Sequence, residues 1–331
     1  QEAARSLDER DVCLYVGIPF CPTRCAYCSF VSQSVEKSMK LMEPFLDALL
    51  LDIRATAAET RRAGLRPVAL YMGGGTPTTL SAAQLDRLCA ALEREFDLSA
   101  LREYTVEAGR PDTITAEKLR VLRAHGVGRV SVNPQTMSDS VLEAIGRRHT
   151  AQDIVDALSL VREVGGFDVN MDLIAGLPTD TPEGFAETLS RVLELAPENG
   201  TVHTLSMKRG SNLPVMGGAL PEAADVGAML ADALSSLPDA GYEPYYLYRQ
   251  KYMSGSFENV GWCRPGGVGW YNVDIMSELC SILSFGAAGS TKMVVPGTNQ
   301  IQRAFNVKYP TEYIQRPEKW QANQAAFAAF Y

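Results

Sequence analysis

Histidine, cysteine and long apolar runs are all scarce in this 331-residue chain, and each scarcity removes a class of function. The three histidines, His125, His149 and His203, include no pair at zinc-like spacing. Seven cysteines are an odd, sparse count, and no signal peptide precedes them, so a disulfide framework is not expected and the setting reads as reducing and cytoplasmic. No uninterrupted apolar stretch reaches the roughly 18 residues of a membrane-spanning helix, so no membrane association is expected. Ser131 and Ser206 lack a nucleophile elbow, which leaves covalent acyl transfer unsupported. A net charge of -8 argues against a general phosphate-backbone binder, so nucleic acid is not an expected partner. With 46% hydrophobic and 21% charged residues, the chain can bury a large core as one extended domain, or as one domain with an appendage. Its first residue is Gln rather than Met, consistent with a fragment or processed form of a longer chain.

Against this background one short stretch stands out. Cys21, Cys25 and Cys28 follow Gly17-Ile18-Pro19-Phe20 in a Cys-x3-Cys-x2-Cys loop. Three thiolates at this spacing can hold three corners of a four-iron four-sulfur cluster, leaving the fourth iron without a protein ligand and open to chemistry. A closed zinc site wants four ligands, usually in paired Cys-x2-Cys knuckles, and no second pair is present. Cys13, Cys89, Cys263 and Cys280 are unspaced singles that read as ordinary thiols.

Short β-rich runs alternate with helical patterns, the signature of βα units around a parallel sheet. Strands are expected at Val12–Ile18, Val68–Met72, Tyr104–Glu107, Arg129–Val132, Asp168–Ile174 and Val202–Ser206. Helices are expected at Met42–Ala63, Ala82–Glu95, Ala116–Ala124, Ser138–Ile145, Ala151–Val164 and Pro182–Leu195. Six such repeats predict an α/β fold, an open partial (β/α)6 barrel instead of the closed eight-stranded form. The expected division is a barrel over residues 1–210 and a substrate-facing appendage over 211–331. In the second part, a helix near Ala223–Leu237 leads to the aromatic run Tyr245 to Tyr248 and a terminal helix near Pro317–Tyr331.

Active sites of such sheets lie at the C-terminal ends of the strands, where the motifs cluster. The cysteine loop follows the first strand and Gly73-Gly74-Gly75-Thr76 the second, a glycine run that lets backbone approach a ligand closely. Glu107, Gln135, Arg147 and Asp172 point toward the same mouth and could match a zwitterionic, ribose-bearing ligand, although each alone could be a solvated loop residue. Asp172, in the apolar run Val169 to Ile174, needs a specific partner, of which ribose hydroxyls are one. His149 reads as a helix-end residue, and His203 as either a core or an interior-facing histidine.

The cysteine loop, the triple glycine and the Asp172 to Pro178 run together resemble the radical S-adenosylmethionine (SAM) superfamily. Tyr15 to Cys21, Gly73 to Thr78 and Gly146-Arg147-Arg148-His149-Thr150 are similar to the oxygen-independent coproporphyrinogen III oxidase group, in its HemZ-like branch. The resemblance covers most of residues 12–292. It implies a 4Fe-4S cluster on Cys21, Cys25 and Cys28 and S-adenosyl-L-methionine as cofactor, cleaved to a 5'-deoxyadenosyl radical. By motif position, Tyr15 and Tyr27 flank the cluster, Gly74, Gly75 and Thr76 contact the methionine part, Glu107, Gln135, Arg147 and Asp172 hold charged and ribose groups, and Ser206 sits near the adenine. The sequence departs from the family in two places. Gly17 and Phe30 stand where the decarboxylating enzymes have a histidine and a further cysteine, and the chain ends where the longer enzymes continue into a helical domain.

Three activities follow as expectations. The first is oxidative decarboxylation of coproporphyrinogen III or related tetrapyrrole propionates, with a flavodoxin- or ferredoxin-type electron donor. There the Tyr245 to Trp270 segment would cover the macrocycle and Arg249, Lys251 or Arg264 would pair with propionates. The second is a radical methyltransferase or other C–H functionalising enzyme on a large substrate. The third is a haem-binding chaperone, against which the absence of a His-Asn-Pro-Lys-Tyr-Trp-like motif counts.

Overall fold

The computed structural model describes residues 7–28, 33–206, 220–249, 257–295, 298 and 300–331. Its first strand, β1 (Asp11–Ile18), is buried along nearly its whole length, as a strand covered on both faces must be. Among the described residues, six more strands of the same sheet follow in the N-terminal part: β2 (Arg66–Gly74), β3 (Glu103–Glu107), β4 (Arg129–Ser131), β5 (Asp168–Asn170), β6 (Leu173–Ala175) and β7 (Asn199–Thr204). They run parallel in the order β1, β2, β3, β4, β5, β7, with β6 beside β7.

The expected single strand over Asp168–Ile174 is two strands, interrupted at Met171 and Asp172. Side-chain and loop groups take the Asp172 backbone out of the ladder: its N–H donates to Asn133 Oδ1 at 3.2 Å and its carbonyl accepts from Gln135 N at 3.0 Å. The last expected strand begins three residues earlier, at Asn199, and stops at Thr204.

A seventh parallel position lies outside the predicted set of six. β10 (Ser281–Phe285) pairs in parallel with β1, on the side opposite β2. Antiparallel strands then extend both edges: β8 (Glu243–Tyr248) and β9 (Asn259–Cys263) beyond β7, and β11 (Ser290–Val294) and β12 (Ile301–Phe305) beyond β10. The end strands β8 and β12 do not pair with each other, so the sheet stays open. The expected boundary at residue 210 falls outside the described residues, and strands from both sides of it share this sheet.

Helices cover the outer face. α2 (Ala82–Glu95), α3 (Ala116–Ala124), α5 (Ala151–Val164) and α6 (Pro182–Leu195) have the bounds read from sequence, because each opens on a side chain that caps it. Ser81 and Thr150 form reciprocal capping boxes with Gln84 and Asp153. α4 (Asp139–Ala144) is one residue shorter at each end than expected. α1 (Val35–Arg62) starts seven residues before the expected Met42 and carries Pro44 inside it. Burial of Met42, Phe45, Leu46 and Leu49 on one face overrides the local cost of the proline.

The second half carries α7 (Ala223–Asp239), α8 (Trp270–Met276), α9 (Pro310–Gln315) and α10 (Pro317–Phe330). A buried polar knot ties the C-terminal helices to α1. The Tyr313 hydroxyl donates to Asp52 Oδ2 at 2.5 Å and accepts from Gly286 N at 3.3 Å, while Gln324 Nε2 donates to Asp52 Oδ1 at 2.8 Å. Burial pushes the Asp52 carboxyl up to about 6, although the Tyr313, Gln324 and Thr56 hydrogen bonds pull it back. Tyr313→Phe leaves a buried carboxylate short of a donor, so urea melts at pH 7 are expected to show a loss of about 1–3 kcal/mol.

Candidate functional site

One cavity of about 730 Å³ opens at the C-terminal ends of the parallel strands, and all thirteen residues singled out from sequence line it. Cys21, Cys25 and Cys28 sit at its β1 side with Tyr27 beside them, while Tyr15, on β1, stacks with Tyr71 and Tyr271. Gly74, Gly75 and Thr76 come from the end of β2, Glu107 from β3, Gln135 from the loop after β4, Arg147 from the turn after α4, Asp172 from the β5–β6 break, and Ser206 from just beyond β7.

The cysteine loop is held from two sides. Ala26 N donates to Ile145 O at 3.0 Å and Thr23 Oγ1 to Gly146 O at 3.3 Å, which pins the loop to the Gly146-Arg147 turn. Phe20 O, next to Cys21, accepts from Thr76 N at 2.7 Å, and Ile18 O accepts from Gly75 N at 2.8 Å. Gly74 adopts a φ of 102°, a left-handed conformation that costs glycine little. A Cβ on Gly75 would lie 2.5 Å from Phe20 O and 2.8 Å from Ile18 O, so only glycine fits at this crossing.

Two buried arginines set the electrostatics. Arg147 donates from Nη1 to Asn133 O at 2.7 Å and from Nη2 to the Tyr27 hydroxyl at 3.2 Å. Arg110 donates to Cys25 Sγ at 3.4 Å and to Thr23 Oγ1 at 2.7 Å. Burial pushes the Cys25 thiol up, yet Arg147 and Arg110 more than offset it, so Cys25 ionises more readily than an ordinary thiol. His149, expected at a helix end, is buried just before α5 with neither ring nitrogen hydrogen-bonded. Burial, then Arg147 and Arg110, hold it neutral, down to about 3.

Across the cavity, Glu107 accepts from the Tyr71 hydroxyl at 2.6 Å. Burial pushes its carboxyl up to about 7, with the Asp172 charge adding to the rise and the Tyr71 and Gly74 hydrogen bonds opposing it. Asp172 finds partners within the protein: Oδ1 accepts from Asn170 Nδ2 at 3.0 Å and from Thr201 N at 2.9 Å, and Oδ2 lies 3.8 Å from His203 Nε2. Burial raises its pKa, but His203, Asn170 and Thr201 together hold it below the usual carboxylate range.

His203, which the sequence left open between two placements, therefore faces the cavity, its Nδ1 3.1 Å from the Tyr248 hydroxyl. Sequence reasoning passed over Tyr71, Arg110, Asn133 and Asn170 as well. Arg110 carried a usable signal, since it follows β3 as the cysteines follow β1. Of the cations expected to meet a substrate, the two described ones, Arg249 and Arg264, do not line the cavity. Arg249 is exposed and pairs with Glu258 at 3.0 Å, Arg264 stacks over Tyr242, and Lys251 and Phe30 lie outside the described residues. Lys292 and Arg303 line the cavity instead, each near Glu278 Oε1, at 2.8 and 3.8 Å.

Comparison with known proteins agrees with this architecture. The family model of the radical SAM superfamily matches residues 15–192. The oxygen-independent coproporphyrinogen-III oxidase-like protein HemZ of Bacillus subtilis is 40% identical over 313 residues, 94% of this chain and 62% of that protein. The heme chaperone HemW of the same organism is 36% identical over 192 residues, 58% of this chain and 49% of that protein. The solved structure of the Escherichia coli coproporphyrinogen III oxidase HemN, titled a radical SAM enzyme, superposes with a TM-score of 0.73 at 27% identity, covering 96% of this chain and 71% of that one. The chain thus spans about half to three fifths of the length of these curated relatives.

The superfamily uses a 4Fe-4S cluster and SAM, and the cavity suits both. Three thiols converge on it, a soft donor set appropriate to iron–sulfur chemistry, and among the described residues no fourth cysteine lines it. Arg147 Nε, Asn170 Oδ1, Asn199 Oδ1 and Thr204 Oγ1 are buried there without hydrogen-bond partners, groups that a polar ligand would satisfy. No helix among the described residues is long and apolar enough to cross a membrane. Motif, fold and cavity agree that the chain belongs to the radical SAM superfamily and, within it, to the group similar to oxygen-independent coproporphyrinogen III oxidases.

Proposed function

We propose that this chain carries out oxidative decarboxylation of a tetrapyrrole propionate, such as those of coproporphyrinogen III, as a radical SAM oxidoreductase served by a flavodoxin- or ferredoxin-type electron donor. The observation that carries the reading is the convergence of the three loop cysteines and the ten cofactor candidates on one cavity. Bound there, the cluster and SAM would supply a 5'-deoxyadenosyl radical that abstracts hydrogen from the substrate. The protein's part is to hold and orient. Cys21, Cys25 and Cys28 are the cluster ligands, with Arg147 and Arg110 favouring the Cys25 thiolate. Gly74, Gly75 and Thr76 offer backbone to the methionine part, and Glu107, Gln135, Arg147, Asp172 and Ser206 receive the amino, carboxylate, ribose and adenine groups. Tyr15 and Tyr27 wall the cluster from bulk water.

In this reading residues 1–210 perform the radical chemistry and residues 211–331 cover the substrate. Tyr246, Tyr248 and Tyr271 contribute aromatic surface to the cavity, and Lys292 and Arg303 would exchange Glu278 for a substrate carboxylate. The test is anaerobic reconstitution with iron and sulfide, then reduction with dithionite in the presence of SAM, with and without coproporphyrinogen III. Formation of 5'-deoxyadenosine with loss of substrate carboxylates supports the reading. Nucleoside without substrate turnover moves the search to another large substrate or to a methyl transfer, the latter betrayed by S-adenosylhomocysteine. Tight haem binding with no nucleoside favours the chaperone activity named for HemW.

Glu107 gives the site a pH signature. A carboxyl held at about 7 is mostly neutral at pH 6 and mostly ionised at pH 8, and the ionised form is acceptor-only and the far stronger acceptor. Contact with a ligand N–H or O–H then favours the anion, so affinity rises with pH through 7. The ratio of SAM affinities, native protein over Glu107→Gln, is expected to grow about tenfold from pH 6 to pH 8 in equilibrium dialysis. A flat ratio would remove Glu107 from contact with the ligand.

A further inference from the structure

Two of the cysteines that the sequence leaves as unrelated singles meet in the fold. Cys13 on β1 and Cys280, just before β10, are 267 positions apart, yet their sulfurs lie 3.5 Å from each other. Cys13 Sγ is also 3.4 Å from Asp274 Oδ2, on α8, and one donor atom from each of the three residues falls within 4.8 Å of the others. All three are buried, and none lines the large cavity. Val68, Ala69, Tyr271 and Ile282 pack around the two thiols in a small apolar cluster of their own.

We propose that Cys13, Asp274 and Cys280 form a buried binding site for a borderline-soft divalent cation of the zinc class. Geometry separates this from the two plainer readings. A tetrahedral zinc with bonds of about 2.3 Å to sulfur and 2.0–2.2 Å to oxygen sets its ligands roughly 3.5–3.8 Å apart. The Cys13–Cys280 and Cys13–Asp274 separations of 3.5 and 3.4 Å therefore need to open by only a few tenths of an ångström, and the third, within 4.8 Å, needs to close by about 1 Å at most. A disulfide would instead require the sulfurs to close to about 2.0 Å. A simple network of thiol hydrogen bonds leaves a buried atom unexplained: Asp274 Oδ1 has no partner, although its side chain is fully buried. Turning Oδ1 toward the cation as a second, longer carboxylate contact would satisfy that atom; the carboxylate then fills one position of the tetrahedron and a small ligand such as water the fourth, while Oδ2 keeps its 2.5 Å contact to Arg102 Nη2.

Charge balances as well. The exchange releases two thiol protons as two thiolates bind one doubly charged ion, and no electron is transferred. The two thiolates neutralise the cation, and the Asp274–Arg102 pair sums to zero, so the apolar surroundings enclose no net charge.

The test uses the full chain with Cys21, Cys25 and Cys28 all changed to Ala, which removes the other cluster of thiols and makes the result independent of the cluster assignment. After anaerobic equilibration with zinc and desalting, elemental analysis is expected to find about one zinc per chain, with a raised melting temperature. Adding Cys280→Ala should remove the zinc and the thermal shift. Cobalt(II) supplied to the same pocket without that substitution should give thiolate-to-metal charge-transfer absorption, a readout that survives if Cys280→Ala fails to fold. Zinc below about 0.1 per chain, or cobalt spectra without thiolate bands, would overturn the proposal.

Discussion

Cys25→Ala is expected to remove bound iron from the reconstituted protein and to reduce 5'-deoxyadenosine formation to background, while circular dichroism stays native. The middle cysteine of the loop is the one the fold prepares most fully. It is buried, accepts from Arg110 Nη1 at 3.4 Å and feels Arg147 on its other side, so its thiolate is stabilised inside a cavity that would otherwise keep a thiol protonated. Losing it leaves two thiolates for a cube that needs three, and two guanidinium groups without their nearby anion. The fold itself should survive, because Ala26 N to Ile145 O and Thr23 Oγ1 to Gly146 O still anchor the loop. Iron and nucleoside formation retained in the variant would refute the cluster assignment.

Gly75→Ala is expected to weaken SAM binding by about 10²–10⁴-fold with the cluster cysteines unchanged. The added methyl must enter a gap where Phe20 O and Ile18 O stand 2.5 and 2.8 Å away, and both are backbone atoms with little freedom to move. Relief requires separating the end of β2 from the root of the cysteine loop. That costs the Gly75 N to Ile18 O and Thr76 N to Phe20 O hydrogen bonds, about 1 kcal/mol each, together with roughly 1–3 kcal/mol of overpacking strain. Thr76, whose hydroxyl lies 3.5 Å from Cys21 Sγ, would move with it. Equilibrium dialysis with labelled SAM reads the effect, and iron analysis separates it from cluster loss. Unchanged affinity would mean that the glycine run serves only the turn.

The cysteine loop and the four helices whose bounds match the structure were legible because their information is local. A spacing of three thiols, or a cap followed by an apolar stripe, is written within a few consecutive residues. The same is true of the strand ends, whose positions indicate which side chains can reach one mouth. The start of α1 was not legible, since packing of Phe45 and Leu46 against the sheet outweighs a proline in the helix. Neither was the break at Asp172, made by Asn133 and Gln135 from the preceding βα unit.

The sequence by itself determined the radical SAM character of this chain: three thiols without a fourth, glycines after the second strand, polar residues at successive strand ends. Tertiary structure alone decided what those residues touch. It placed Arg110 and Arg147 around Cys25, gave Asp172 a histidine partner 31 positions away, and exchanged the expected arginines for Lys292 and Arg303 at the cavity. It also brought β10 beside β1 and so joined Cys13 to Cys280. The physical reason is that pattern and capping act over a few residues, whereas burial, field and parallel pairing depend on which distant segments the sheet sets side by side.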